Sequence, residues 1–135
     1  LILFEAVVGS RAYGLATASS DTDIRGIFYL PLEYYLSGTY IAQVANASND
    51  EVYYELGRFV ELLSKSNPTV LELLASPADC IVYQDPIMDK FKMQDFITRE
   101  AAMTFAQYAM VQVRKAKGLN KKIVSVLRTT CLICR

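Results

Sequence analysis

The sequence predicts an α+β fold in which short strands come first and helices follow. Three observations support this. Short apolar segments bounded by glycine, proline and polar loops fill the first 55 residues, and helical periodicity begins at Leu56. The chain of 135 residues is long enough for one domain with a real core. This order predicts a core over residues 1–90 and a helical region over 91–135 that packs on the core and ends in a helical hairpin.

The strand half is predicted from alternating apolar residues and from the residues that stop each segment. Gly9 ends the first apolar segment and Pro31 ends the second. Between them, Thr17–Asp21 is a polar loop of small residues. The predicted strands cover residues 1–8, 23–30, 39–44 and 51–56, with a short helix or turn over 10–16 and a helical turn over 32–36.

The helical half is predicted from apolar spacing and from capping residues. Asn67 is a suitable cap for a helix that begins at Pro68, Asp85-Pro86 starts a further helical turn, and Gly118 is a suitable stop for a long helix over 95–117. A strand is predicted over 80–83 and a last helix over 120–134. The predicted inner faces of the last two helices consist of Phe96, Ile97, Ala101, Phe105, Tyr108, Ala109 and Val113, then Ile123, Val126, Leu127 and Cys131.

The residue types exclude several kinds of chemistry. The chain has no histidine, which removes Ser-His-Asp and Cys-His catalysis and histidine-ligated zinc. Its three cysteines form no disulfide framework, and Cys131 and Cys134 are expected to pack as small apolar residues of one helix face. Carboxylates that bind Mg²⁺ or Mn²⁺ remain available. The cysteine content and the lack of a targeting or membrane-spanning segment predict a cytoplasmic protein, and both termini are treated as provisional because the first residue is not Met.

The formal charge of zero hides an uneven distribution of acids and bases. Residues 1–89 carry twelve acidic and four basic side chains, whereas residues 90–135 carry ten basic and two acidic ones. This split favours an acidic half that holds cations and a basic half that contacts phosphate, although a solvated helical face would look the same. The basic side chains assigned to an RNA or nucleotide contact are Arg114, Lys115, Lys117, Lys121, Lys122 and Arg128.

The candidate site begins with a Gly-Ser turn and an Asp-x-Asp pair. Gly9 lets the backbone approach a phosphate closely, and Ser10 and the N–H groups that follow supply donors. Asp21 and Asp23 are two apart, so in a strand both carboxylates would point to the same face and attract a divalent cation. Each motif alone is weak. Their occurrence within about a dozen residues predicts a metal-assisted phosphate site.

The segments GSRAYG, SDTDIRGIF, YYEL and SNPTVLELLASP resemble the DNA polymerase β-like nucleotidyltransferase superfamily, and in it a branch of predicted bacterial and phage enzymes associated with RNA repair. The resemblance covers residues 5–85 and continues weakly into KKIVSVLR. It implies a small mixed β-sheet with flanking helices. By this resemblance Gly9 and Ser10 contact the nucleoside triphosphate, Asp21 and Asp23 bind the metal, and Arg25 belongs to the branch motif. We expect Arg11 and Arg25 to stabilise phosphate charge.

The third carboxylate of the site is left open between two residues. Asp50 fits the branch pattern, and Glu55 precedes the next helix and shares a strand face with Glu51. Both are candidates for activating an attacking hydroxyl. Glu72 also matches a branch position, as a mid-helix acid or a functional one. A tyrosine cluster could stack a base, although packing is its simpler role: Tyr29, Tyr34, Tyr35, Tyr53 and Tyr54.

These residues predict an enzyme that transfers a nucleoside monophosphate from a nucleoside triphosphate, with ATP as the expected substrate and Mg²⁺ or Mn²⁺ as cofactor, to an acceptor hydroxyl on RNA. Pyrophosphate would be released. Three alternatives stay open: transfer of AMP to a protein partner, a non-catalytic nucleotide-binding scaffold, and a basic RNA-binding module without enzymatic activity. No membrane partner is expected.

Overall fold

A computed structural model describes the backbone of residues 1–131 and the side chains of residues 1–118. The strands are β1 Ile2–Val8, β2 Asp23–Phe28, β3 Gln43–Ala45, β4 Glu51–Glu55 and β5 Ile81–Gln84. The α-helices are α1 Leu32–Leu36, α2 Leu56–Ser64, α3 Pro68–Leu74, α4 Met93–Phe96 and α5 Arg99–Cys131, and 3-10 turns cover Ala78–Cys80 and Pro86–Lys90.

The strands form one five-stranded mixed sheet with the order β3-β4-β2-β1-β5. β2 and β4 are parallel neighbours, whereas β1–β2, β1–β5 and β3–β4 are antiparallel. The connection from β2 to β4 contains α1 and β3. The predicted α+β class with a small mixed sheet is therefore confirmed.

One face of the sheet is covered by α2 and α3. The buried side chains of this core include Phe4, Ala6 and Ile27 from the sheet and Phe59, Leu63, Val70, Leu71 and Leu73 from the helices. Antiparallel partners share a face, and Ala6 pairs with Arg25 while Val8 pairs with Asp23. Arg25 and Asp23 therefore lie on the helix-covered face, at the N-terminal end of β2.

Two predicted capping residues, Asn67 and Asp85, begin their elements as expected. Asn67 Oδ1 accepts a hydrogen bond from the N–H of Thr69 at 3.0 Å, and α3 begins at Pro68. Asp85 Oδ1 accepts from the N–H of Ile87 at 2.9 Å and starts the following 3-10 turn. These short polar side chains satisfy N–H groups that have no partner inside the helix.

The predicted hairpin near the end of the chain is wrong. α5 is one helix of 33 residues, about 50 Å long, and it continues through Gly118. A helix of this length absorbs the cost of one glycine, which is only about 1 kcal/mol. The predicted packing of residues 91–135 on the core as a second unit stays a prediction, and the side chains of residues 119–135, including Ile123, Val126, Leu127, Cys131 and Cys134, lie outside the described ones.

The predicted inner face of α5 is correct only at its beginning. Ala101 is buried, and Thr104 Oγ1 donates a hydrogen bond to the carbonyl of Ser66 at 2.8 Å. Phe96, just before the helix, packs against the core. Ile97, Phe105, Tyr108 and Val113 are exposed by 37–52%, and Ala109 is also exposed. The periodicity identified an amphipathic helix, but among its side chains up to residue 118 only those of the first turns reach the core.

Gly26 lies on the face of the sheet opposite α2 and α3, where neighbouring atoms leave no room for a side chain. A Cβ at Gly26 would lie 2.4 Å from Cδ1 of Tyr53 and 2.9 Å from the carbonyl oxygen of Phe4. Tyr53 donates a hydrogen bond to Glu5 at 3.0 Å across this position. Burial, followed by the Glu5 carboxylate, raises the pKa of Tyr53 to about 12.

We predict that Gly26→Ala lowers the free energy of unfolding by about 3 kcal/mol, because overpacking costs about 1–3 kcal/mol and a backbone atom cannot move aside easily. Urea denaturation of the variant and the wild type measures this difference. Gly118→Ala is the control, since a Cβ there meets no atom within 4 Å and should stabilise the helix slightly. Equal stability of Gly26→Ala and wild type would contradict the prediction.

None of the helices in the described part of the chain combines the length and apolar character needed to cross a membrane.

Candidate active site

A cavity of about 350 Å³ lies beside the start of β2, between the loop after β1 and helix α3. This volume lies within the range of pockets that hold small ligands. The residues on the sheet side are Val8, Gly9, Ala12, Tyr13, Asp23 and Arg25, and those on the helix side are Thr69, Glu72, Ala75, Ser76, Pro77 and Tyr108.

The loop over residues 9–15, called the Gly-Ser loop below, is a tight turn at the edge of the cavity. Its internal hydrogen bonds use the N–H groups of Tyr13, Gly14 and Leu15. The N–H groups of Ser10, Arg11 and Ala12 take no part in these three bonds. The first turn of a helix likewise has N–H groups without a partner inside the helix. Such N–H groups are suitable donors to phosphate oxygens.

Gly9 and Asp23 are in direct contact at this point. Gly9 has φ +69°, and a Cβ on it would lie 2.5 Å from Oδ2 of Asp23. Only glycine fits, because any side chain would both strain the backbone and collide with the carboxylate. The two motifs that the sequence linked by spacing are therefore linked in space. The structure brings Gly9, Asp23 and Arg25 together in one cavity.

Arg25 orders the backbone next to Asp23 and at Asp50. Its Nη1 donates hydrogen bonds of 2.9 Å to the carbonyl oxygens of Ile24 and of Asp50. The N–H of Ile24 also donates to the carbonyl of Asp50 at 2.7 Å. Arg25 therefore orders the segment before β4 relative to β2, while its side chain also lines the cavity.

Five predicted site residues do not line the cavity: Ser10, Arg11 and Asp21, together with Asp50 and Glu55, which are described below. Ser10 starts the turn and its carbonyl accepts from the N–H of Leu15 at 2.8 Å. Arg11 is exposed, and its Nη2 donates to the carbonyl of Ser20 at 3.2 Å, which joins the Gly-Ser loop to the segment before Asp21. Asp21 is exposed and lies outside β2. β2 begins only at Asp23, so strand alternation does not orient Asp21, and the shared metal site of Asp21 and Asp23 stays a prediction.

Strand register separates the two candidates for the third carboxylate. β2 and β4 pair in parallel with Ile24 opposite Glu51, so Asp50 lies beside Asp23 when the register is extended by one residue. Glu55 pairs with Phe28 instead, at the far end of β2 and about 16 Å along the strand from Asp23. The structure therefore brings Asp50 to the edge of the candidate site and does not bring Glu55 there.

Glu55 has a structural environment of its own. It is buried, and its carboxylate accepts hydrogen bonds from the hydroxyls of Tyr35 and Tyr40. It also caps α2 by accepting from the N–H groups of Gly57 at 2.7 Å and Arg58 at 3.3 Å. Burial alone would raise the pKa of Glu55, but these four donors hold it below the ordinary value. A hydrogen bond to Glu55, followed by burial, raises the pKa of Tyr40 to about 12.

We predict that Glu55→Gln lowers the free energy of unfolding by about 2 kcal/mol at neutral pH, because hydrogen bonds to a charged group contribute about 1.5–3 kcal/mol. The folded-state pKa of Glu55 is lowered from 4.5, so its contribution is present above that pH and is lost as the pH falls through the folded-state value. Urea denaturation between pH 3 and 7 measures both effects. Glu51→Gln, on an exposed residue, is the control, and an equal pH dependence in Glu55→Gln and wild type would refute the assignment.

Sequence reasoning missed part of the cavity wall. Tyr13 from the Gly-Ser loop and Tyr108 from α5 line the cavity, and Glu72 from α3 lies with them. None of the residues in the predicted stacking cluster lines it. Glu72 was singled out by its motif, and Tyr13 stands inside GSRAYG, but Tyr108 is 95 positions further on and only the fold brings it here.

The acids at this site could supply part of the ligand set of a hard divalent cation. Among the side chains of residues 1–118, no three His, Cys, Asp or Glu residues form a group that could hold a metal ion by themselves. Mg²⁺ does not need such a group, since one or two carboxylates usually bind it together with water and substrate phosphates. Asp23 lies beside the Gly-Ser loop and Asp21 precedes it by two residues, so their carboxylates are ligands of the type that Mg²⁺ uses.

The fold and this cavity are those expected of a polymerase β-like nucleotidyltransferase. Residues 1–130 match the RlaP family, described as the RNA repair pathway DNA polymerase beta family, and the chain belongs to this family. Over 90 residues it is 32% identical to a protein of Bacillus subtilis (strain 168) described as uncharacterized protein YcgL. That similarity covers 62% of this chain and 33% of the relative, so the chain spans about a third of the relative's length. No solved structure matches the chain.

Proposed function

We propose that this chain is a metal-dependent nucleotidyltransferase that moves a nucleoside monophosphate from a nucleoside triphosphate, with ATP as the expected substrate, to a hydroxyl on RNA. The contact between Gly9 and Asp23 is the observation that carries the proposal. A turn that can receive phosphate and a carboxylate that can share a cation with it stand side by side in a cavity of suitable size.

The predicted site residues would have separate roles in the transfer. The N–H groups of Ser10, Arg11 and Ala12 would bind phosphate oxygens, and Arg25, which faces the cavity, holds the backbone carbonyls of Ile24 and Asp50. Asp21 and Asp23 would hold Mg²⁺ or Mn²⁺, which when bound neutralises phosphate charge. Asp50 is the better placed candidate to accept the proton of the acceptor hydroxyl as its oxygen attacks the α-phosphorus and pyrophosphate leaves.

The helix side of the cavity supports RNA as the acceptor. A second groove of about 530 Å³ runs between α2, α3 and α5 and shares Thr69 and Tyr108 with the first cavity. Lys65 and Lys115 line this groove, and Arg114 and Lys117 are exposed nearby on α5. Basic side chains beside an aromatic ring are suited to a single nucleic-acid strand. Lys121, Lys122 and Arg128, which were also assigned to this contact, lie outside the described side chains.

The proposal is tested by incubating the protein with Mg²⁺ and nucleoside triphosphates labelled on the α-phosphate, in the presence of RNA, DNA or cell protein. Label on RNA that depends on Asp23 is the expected result. Label on protein instead would favour AMP transfer to a protein partner. Binding of nucleotide without transfer to any acceptor would favour the scaffold, and RNA binding without nucleotide binding would favour the basic RNA-binding module.

A further inference from the structure

Three side chains of the cavity take no part in the proposed binding of phosphate and metal. Tyr13 belongs to the Gly-Ser loop, Glu72 to α3 and Tyr108 to α5, and all three line the cavity that contains Gly9 and Asp23. We call them the Tyr13–Glu72–Tyr108 cluster. Tyr13 is 59% exposed and Tyr108 is 43% exposed, so both rings offer accessible surface to a ligand.

The members of this cluster are close enough to influence one another. Burial, followed by the negative charge of Glu72, raises the pKa of Tyr13 above its ordinary value of 10.0, and Tyr108 contributes as well. A carboxylate and two aromatic rings, contributed by three separate segments, therefore line the same cavity. None of them is required by the core, since neither tyrosine is buried and Glu72 is only partly buried.

We infer that the Tyr13–Glu72–Tyr108 cluster binds the nucleoside part of the substrate, with the tyrosine rings against the base and the Glu72 carboxylate accepting hydrogen bonds from nucleoside N–H or O–H groups. The inference rests on the proposed function, which assigns the triphosphate to the Gly-Ser loop and Asp23. The nucleoside attached to that triphosphate then occupies the rest of the same cavity. Aromatic rings stack on any base, so they contribute affinity rather than selectivity.

Glu72 supplies the selectivity because an ionised carboxylate only accepts hydrogen bonds. Two kinds of group on a nucleoside offer suitable donors. One is a base N–H group: the exocyclic amino group of adenine, cytosine or guanine, which uracil lacks, or the ring N–H of guanine or uracil. The other is the pair of ribose hydroxyls, which 2′,3′-dideoxynucleotides lack. Both the base and the ribose would donate hydrogen bonds to the carboxylate, and a comparison of nucleotides distinguishes between them.

The test uses isothermal titration calorimetry with Mg²⁺ and four probes: ATP, UTP, 2′,3′-dideoxy-ATP and inorganic tripolyphosphate, which has no nucleoside. For Glu72→Gln we expect about tenfold weaker binding of ATP, as for loss of one charge-assisted hydrogen bond, and unchanged binding of tripolyphosphate. Tyr108→Ala should also weaken ATP alone, whereas Tyr108→Phe should not. Glu33→Gln, on an exposed residue of α1, is the matched control.

The probes also show whether the base or the ribose donates to Glu72. They further separate a failure of this inference from a failure of the proposed function. Weaker wild-type binding of UTP than of ATP, lost in Glu72→Gln, indicates the base, and weaker binding of 2′,3′-dideoxy-ATP indicates the ribose. Unchanged ATP binding in Glu72→Gln, or equal weakening of ATP and tripolyphosphate, overturns the inference but leaves the proposed function standing. A wild-type protein that binds neither ATP nor tripolyphosphate overturns the proposed function, and the inference fails with it.

Discussion

Asp23→Asn is expected to reduce nucleotidyl transfer by at least about a thousandfold, which corresponds to about 4 kcal/mol of lost transition-state stabilisation. Asp23 is the one predicted metal ligand that lines the cavity, and it touches the glycine of the phosphate-binding turn. Asparagine keeps the size of the side chain and removes the negative charge that a divalent cation requires. The measurement is the rate of label transfer from α-labelled nucleoside triphosphate with saturating Mg²⁺.

Two further variants make this result specific to the site. Asp50→Asn should also lower the transfer rate, because the register of β2 and β4 places Asp50 beside Asp23. Glu55→Gln should lower stability but leave the rate per folded molecule within about threefold of wild type, since changes far from the site rarely affect the chemical step. Full transfer by Asp23→Asn would refute the proposed mechanism. Loss of transfer only in Glu55→Gln would reverse the assignment of the third carboxylate.

Gly9→Ala is expected to weaken binding of nucleoside triphosphate at least about tenfold and to lower the free energy of unfolding by about 1–2 kcal/mol. The left-handed backbone at φ +69° accounts for the loss of stability. The loss of binding has a different cause, because the new methyl group would lie 2.5 Å from Oδ2 of Asp23 and push the carboxylate away. Urea denaturation and calorimetric titration with ATP and Mg²⁺ measure the two effects separately.

Gly14→Ala is the matched control for this prediction. Gly14 lies in the same loop with φ +66°, but a Cβ there meets no atom within 4 Å. It should therefore show the same loss of stability and a much smaller loss of nucleotide affinity. The difference in affinity between the two variants measures the contact with Asp23. Equal affinities for Gly9→Ala and Gly14→Ala would show that backbone strain alone matters, and the coupling between the loop and the carboxylate would be rejected.

The Gly9–Asp23 contact explains why the two motifs have to occur together. β1 and β2 are antiparallel neighbours, and Val8 pairs with Asp23 at the end of that ladder. The turn after β1 therefore lies against the first residue of β2, independently of the conformation of the loop between the two strands. Arg11, through its hydrogen bond to Ser20, brings the same loop toward the segment that carries Asp21. The short antiparallel pair therefore places the Gly-Ser loop beside Asp23.

The capping role of Glu55 has a physical reason that sequence alone does not reveal. In the sequence, an acid at the end of a strand and before a helix is consistent with catalysis or with capping. The structure shows the second role: two tyrosine hydroxyls and two backbone N–H groups surround the carboxylate. Tyr35 and Tyr40 come from α1 and the segment after it, and no local pattern predicts that they meet Glu55.

The sequence by itself determined the α+β class, the position of four of the five strands, and the caps Asn67 and Asp85, because these depend on alternation, helical spacing and short polar side chains next to their own helix. The remaining strand, predicted over 39–44, is Gln43–Ala45. The sequence also determined the Gly9 and Asp23 motifs. Only the tertiary structure decided that α5 continues through Gly118, that most of the apolar side chains between residues 99 and 118 remain exposed, that Asp50 rather than Glu55 lies beside Asp23, and that Tyr13, Glu72 and Tyr108 share one cavity. Strand register and helix packing bring distant residues together, and neither is encoded in any short segment of the chain.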